Sequence, residues 1–303
     1  MRQLLFAATA AALLTLSLSA PRAQASGRVN VVTTTEDLAA IAQAIGGDHV
    51  NAYSLSHGYN DIHFYEARPS DVMKIRRAQV FCEMGLALDS VWDRPLLDAA
   101  QNNDMVRVNC STGLNVLEKP TGQVNMAMGD VHPYGNPHYQ MDPESGKVIA
   151  ANIESALEQV DPNDASTFAA NEKKFDAELD AKMKVWTKEM APLRGANFFD
   201  YHKEFTYFAH RFGLNIVGNV EPKPGVPPTP SHTLDLIRIA KHEHVRATIV
   251  EQWFNTETPA MIQREAGVPY VVIPTSVGGY PQIKTYFDLF DYVIPRLVAA
   301  AKQ

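Results

Sequence analysis

Of the ten histidines in this chain, three share a setting. His63 lies in Asp61-Ile62-His63-Phe64-Tyr65-Glu66, in the loop after a short apolar run. His138 lies in Gly135-Asn136-Pro137-His138-Tyr139, late in a long polar stretch, and His202 directly follows the run Asn197–Tyr201. Each therefore sits at or beyond the carboxyl end of an expected strand. Neutral imidazole is the commonest metal ligand among side chains and suits zinc, copper, iron and nickel. Three imidazoles gathered from two halves of a chain would hold such an ion and close a cleft around it. A single loop histidine has ordinary uses in hydrogen bonding or at a surface. The wide spacing, unlike a compact His-Glu-x-x-His, does not by itself choose between the two readings. The remaining histidines carry less: His242 and His244 flank a helix end, where a cation favours the dipole. His232 falls in a helix first turn, and His49, His57 and His210 have no matched partners.

The elements that must position these residues alternate. Val29, Val31 and Val32 make a β-branched run, and Thr33-Thr34-Thr35-Glu36-Asp37 caps the helix that follows. Leu38, Ile41, Ala42 and Ile45 share one helical face, and Gly46-Gly47 ends it. The pattern predicts further strands at 49–55, 79–83 and 105–109, with helices at 70–77 and 91–100. Residues 111–143 break the rhythm with Gly, Pro, Asn and Met, as functional or mobile loops do, and a helix returns over 146–159. From Asn163 to Met190 there is neither Gly nor Pro, and Phe168, Phe175, Leu179, Met183 and Trp186 form a stripe at helical spacing. Such a helix spans about 42 Å and reads as a rigid connector. The second half resumes the alternation: strands at 197–201, 215–220, 247–251 and 270–273, and helices at 204–212, 233–242 (capped by Ser231), 258–266 and onward to about Ala301. A Pro-rich loop, Glu221–Pro230, intervenes. The expected fold is α/β, two lobes with mainly parallel sheets joined by a single long rigid helix. The expected division is 1–25 leader, 26–160 N-terminal lobe, 161–191 linking helix and 192–303 C-terminal lobe. Ligands in such sheets bind beyond the carboxyl ends of the strands.

Residues 1–25 read as a signal peptide: Arg2, an apolar run from Leu4 to about Leu18, and the small-x-small site Ala23-Gln24-Ala25. Cleavage near Ala25 would place the mature protein in the periplasm. The formal net charge of the whole chain is −7, and the leader contributes Arg2 and Arg22 without an acid. A mature chain this acidic is a poor partner for nucleic acid, whose binding rests on phosphate neutralisation. Cys82 and Cys110, the two cysteines, are either one disulfide of an oxidising compartment or two small buried residues. Their spacing matches no thiolate metal motif.

Three segments, taken in order, resemble the zinc/manganese class of solute-binding proteins of bacterial ABC transporters. His63-Phe-Tyr-Glu-Ala-Arg-Pro-Ser-Asp71 is similar to that family's His-x-(Tyr/Phe)-Glu-x-x-Pro-Ser-Asp segment. Asn136-Pro-His-Tyr-Gln-Met-Asp-Pro143 resembles its Asn-Pro-His-x-Trp-x-Asp-Pro segment. Tyr201-His202, with Phe205, Tyr207-Phe208 and Phe212-Gly213-Leu214, resembles its third ligand segment. The resemblance covers nearly all of the chain after the leader. It implies that His63, His138 and His202 are metal ligands, and that the cargo passes to an ABC permease that pulls the lobes or ligand loops apart. A His at the third position, where other members carry Glu, resembles the zinc branch. Manganese, which favours carboxylate oxygen, fits less well.

The chain departs from the family pattern at three places. Where members often place a carboxylate as fourth ligand, the sequence reads Pro274-Thr275-Ser276-Val277-Gly278-Gly279. That leaves a water, or Glu251 reaching in, unless Glu251 supports a ligand from behind. The His-rich loop of zinc receptors is absent, and Met126, Met128 and His132 stand in its place, either a lid or a soft site for copper(I). Gln140 replaces the usual Trp. Two other functions compete with the receptor. One is a zinc hydrolase with Glu66 or Glu251 as base, against which stands the lack of His-Glu-x-x-His, nucleophile elbow and phosphate loop. The other is a stand-alone metal chaperone for zinc or copper. No assembly motif appears, so a monomer is expected.

Overall fold

The computed structural model describes residues 27–125, 128–129 and 131–302; the leader and Met126 lie outside them. The first sheet contains β1 (Val29–Thr33), β2 (Val50–Ser54), β3 (Val80–Glu83) and β4 (Val106–Asn109), in the order β2-β1-β3-β4. All its pairings are parallel. The second sheet contains β5 (Asn197–Asp200), β6 (Asn215–Asn219), β7 (Thr248–Glu251) and β8 (Tyr270–Ile273), in the order β6-β5-β7-β8, again parallel. These short β-branched and aromatic runs suit strands covered on both faces.

Helices α1 (Glu36–Gly46), α2 (Pro69–Arg76), α3 (Asp93–Ala100) and α4 (Ser145–Val160) surround the first sheet. The expected connector is α5 (Ala165–Met190), one uninterrupted helix of 26 residues. Helices α6 (Thr206–Phe212), α7 (Pro230–His242), α8 (Glu257–Ala266) and α9 (Tyr286–Ala300) belong to the second sheet. Helix α7 opens a turn earlier than its sequence suggests. Thr229, not Ser231, is the cap, accepting from the His232 amide at 3.3 Å, and Pro230 takes the first helical position.

The stripe of α5 is core. Phe168, Phe175, Leu179 and Trp186 are buried, and the helix packs on α1 and α4 on one side and on α9 on the other. The Trp186 indole N–H donates to Asp291 of α9 at 2.9 Å. One apolar cluster runs from Val29 and Ile41 through Phe175 to Phe290 and Leu297, so the lobes share a core. A polar seam also joins them. Asp37 accepts from the Ser276 hydroxyl and from the Val277 amide, the latter at 2.9 Å. At Gly58 a Cβ would lie 1.8 Å from the Val277 carbonyl oxygen, so only glycine lets the two backbones meet there. Cys82 and Cys110 are both free, fully buried thiols. Burial, and then a hydrogen bond to Cys82, push the Cys110 thiol well above its ordinary range.

Candidate metal centre

The C-terminal ends of both sheets face one cleft, and His63, His138 and His202 meet there. Their ring centroids form a triangle with every side 5.3 Å, and one ligand atom from each lies within 4.8 Å of the others. His138 and His202 are buried, and His63 is partly so.

Each ring is held by the same device. His63 sits in a tight turn, Ile62–Phe64, started by Asp61. The Asp61 carboxylate accepts from the His63 amide at 2.9 Å and contacts its Nδ1 at 2.8 Å. Two residues before His138, the Asn136 side-chain oxygen accepts from the His138 amide and faces Nδ1, both at 3.0 Å. The Asn136 amide group donates to Glu118, to the Lys203 carbonyl at 2.8 Å and to Thr206, which fixes which way it points. His202 Nδ1 lies 2.8 Å from Glu221. Strands β5 and β6 pair Asp200 with Asn219, so positions two residues beyond each strand end side by side. Glu221 also accepts from the Gly225 amide at 3.0 Å, which ties in the Pro-rich loop.

An acceptor at every Nδ1 places the proton there and leaves Nε2 as a bare lone pair. The three lone pairs converge. Among the described residues, buried His138 Nε2 has no hydrogen-bond partner, an expensive arrangement unless a cation satisfies it. Burial, then the neighbouring imidazoles, depress the His138 pKa well below the ordinary histidine range, so the ring is neutral and ready to ligate.

Glu251 stands behind the triangle. It accepts from the His202 amide at 3.4 Å and shares the region with buried Asp200 and Glu204. Burial pushes all three carboxyls well above the carboxylate range, and neighbouring acids add to it: Glu118 and Glu221 on Asp200, Asp61 and Asp200 on Glu204, and Asp200 and Glu204 on Glu251. Thr275, at the position where the family resemblance implies a carboxylate, is fully buried. Glu66 is exposed. Three of the other histidines have ordinary partners: His49 meets Asp164 at 2.7 Å, His57 meets Glu36 at 3.1 Å, and His232 meets the Asn219 carbonyl at 2.8 Å. His132 is different. Its Nε2 lies 3.3 Å from His63 Nε2, at the edge of the triangle.

Asp61, Asn136 and Glu221, which hold the rings, are not marked by the metal-ligand pattern of the sequence. The first two carry a local signal, an acceptor two residues before a histidine, as in Asx turns. Glu221 carries none, since it reaches His202 only through the register of two strands.

Solved structures share this architecture. "Crystal structure of ZnuA" superposes with a TM-score of 0.78 at 23% identity, covering 90% of this chain and 99% of that one. The Cd-bound periplasmic metal binding protein from candidatus liberibacter asiaticus superposes with a TM-score of 0.76 at 20% identity, covering 90% and 100%. The class is that of two-lobed, metal-type periplasmic solute-binding proteins. Within that class, the model of the family described as "Zinc-uptake complex component A periplasmic", ZnuA, matches residues 31–300, and the chain belongs to that family. Similar proteins include the high-affinity zinc uptake system protein ZnuA of Brucella abortus (strain 2308), 24% identical over 66% of this chain and 70% of that one. The protein of the same name from Yersinia pestis is 27% identical over 71% and 72%.

Proposed function

We propose that the chain is an exported receptor that captures a divalent transition metal, zinc foremost, between its lobes and hands it to an ABC permease. His63, His138 and His202 are the ligands in this reading. The observation that carries it is the convergence of three Nε2 lone pairs, each ring pinned at Nδ1 by Asp61, Asn136 or Glu221. Nitrogen donors suit zinc better than manganese. The names of the relatives point to the same cargo. The leader is removed near Ala25, residues 26–160 and 192–303 form the lobes, 161–191 links them, and the mature protein is a monomer.

A hydrolase is disfavoured by the placement of its candidate bases. Glu251 is fully buried behind His202 and engaged by the His202 backbone amide, and Glu66 is exposed to solvent. The deciding experiment is metal analysis and titration of the purified mature protein beside the His63→Ala/His138→Ala/His202→Ala variant. About one zinc per chain, lost in the variant, supports the site. No zinc in either, or equal zinc in both, overturns it.

A further inference from the structure

A fourth imidazole meets the triangle from the long loop after β4. His132 Nε2 stands 3.3 Å from His63 Nε2, with ring centroids 5.4 Å apart and 6.3 Å from that of His138. Its ring also hydrogen-bonds the backbone of Ala87. A neutral imidazole has one N–H. That of His63 is engaged by Asp61, and that of His132 is taken by the Ala87 carbonyl. Two bare lone pairs therefore face one another, which is repulsive unless a cation lies between the rings and the other two histidines. The Ala87 carbonyl is aimed by unusual backbone: Leu86 and Ala87 are consecutive non-glycine residues at φ 55° and 68°, a strained pair of the kind that accompanies functional sites. His132 thus has the same construction as the other three rings, with one nitrogen anchored and the other turned inward. A cavity of about 70 Å³ opens onto His132, His138 and His202.

We propose that His132 is the fourth metal ligand, completing an all-imidazole site in place of the carboxylate that the Thr275 position lacks. The inference rests on the receptor reading above. It adds to that reading that the first lobe supplies three donors, one of them from a segment outside the sheet's own strand ends. A four-nitrogen sphere leaves no coordinated water and no carboxylate oxygen, which excludes hard cations.

The test uses cobalt(II) as a spectroscopic probe and zinc for affinity, on the mature wild type, His132→Ala and His132→Gln. Zinc X-ray absorption counts imidazoles, and the cobalt visible spectrum reports the donor set. The expected result is four nitrogens in the wild type and three plus an oxygen donor in both variants. Zinc should bind at least about tenfold more weakly in competition with a chelator, since even outer partners of ligands are worth that much. Melting of the metal-free variants should match wild type, separating loss of a ligand from loss of fold. Identical donor counts, spectra and affinity in all three proteins overturn the proposal and leave the three-histidine reading standing. A wild type that binds neither metal overturns both.

Discussion

The two sheets are wound alike, β2-β1-β3-β4 and β6-β5-β7-β8, yet they serve the cleft in different ways. The first lobe offers His63 and His138 from loops, each ring held by an acceptor two residues earlier in the same segment. The second offers His202 alone, two residues beyond β5, held by Glu221 from beyond the neighbouring strand. Behind His202 lie the buried acids Asp200, Glu204 and Glu251, all shifted upward, whereas Asp61 beside His63 is shifted down, its burial outweighed by its hydrogen bonds to His63 and its attraction to His63 and His202 together. One lobe thus brings locally built, replaceable donors, and the other a single donor built into the sheet. Rigid elements hold a site more tightly than loops do, so the second lobe reads as the fixed jaw and the first as the adjustable one.

The largest effect that would break this contrast is the loss of the lone donor. His202→Ala should weaken zinc binding at least about a hundredfold, beyond what outer partners contribute. His63→Ala should weaken it less, because His132 stands beside the vacated position. Chelator competition on the two variants checks this, and equal losses would erase the distinction between the jaws. Next, Glu221→Ala should cost roughly 10–100-fold in affinity, and removing the Gly225 contact with it should loosen the Pro-rich loop. Hydrogen exchange at 221–230 without metal would read that second effect, which Asp61→Ala should leave untouched.

Two smaller effects lie at the seam. Gly58→Ala puts a methyl group against the Val277 carbonyl and should destabilise the protein by about 1–3 kcal/mol, read as a lower melting temperature with zinc stoichiometry retained. Asp37, buried between the lobes, has its pKa raised to about 7, chiefly by burial. The folded protein therefore holds a proton that the unfolded chain releases nearer its ordinary pKa of 3.8, and this contribution is lost as pH rises toward 7. The melting advantage of wild type over Asp37→Asn should be largest below about pH 4, decline as pH rises from there, and be gone above about pH 7. A gap independent of pH would mean that Asp37 is already ionised in the folded state.

The alternation of strands and helices and the long connector were legible because each rests on local pattern; His63, His138 and His202, whose rings meet in the cleft, were marked out by their places beyond strand ends and chiefly by the family resemblance of their segments. Asn136 precedes His138 by two residues as Asp61 precedes His63, so the supports of the first lobe lay in plain view although their role did not. Glu221 was hidden because strand register, not sequence distance, brings it to His202. His132 looked like part of a methionine-rich loop, and only the backbone turn at Leu86-Ala87, far from it in sequence, gives its ring an inward direction. The cysteines show the same limit: two strand-end positions left a disulfide and a buried thiol pair open, and the structure has the pair.

The apolar cluster that passes from β1 through α5 into α9 also governs how the molecule comes apart. Because both lobes draw on the same buried side chains, neither has a complete interior of its own. Calorimetry of the metal-free chain should therefore trace a single peak, with its van't Hoff and measured enthalpies equal. A fragment cut before α5 should remain unfolded, since Ile41, Ile153 and Leu157 share one buried cluster with Phe168 and Phe175 of α5, which packs on α1 and α4.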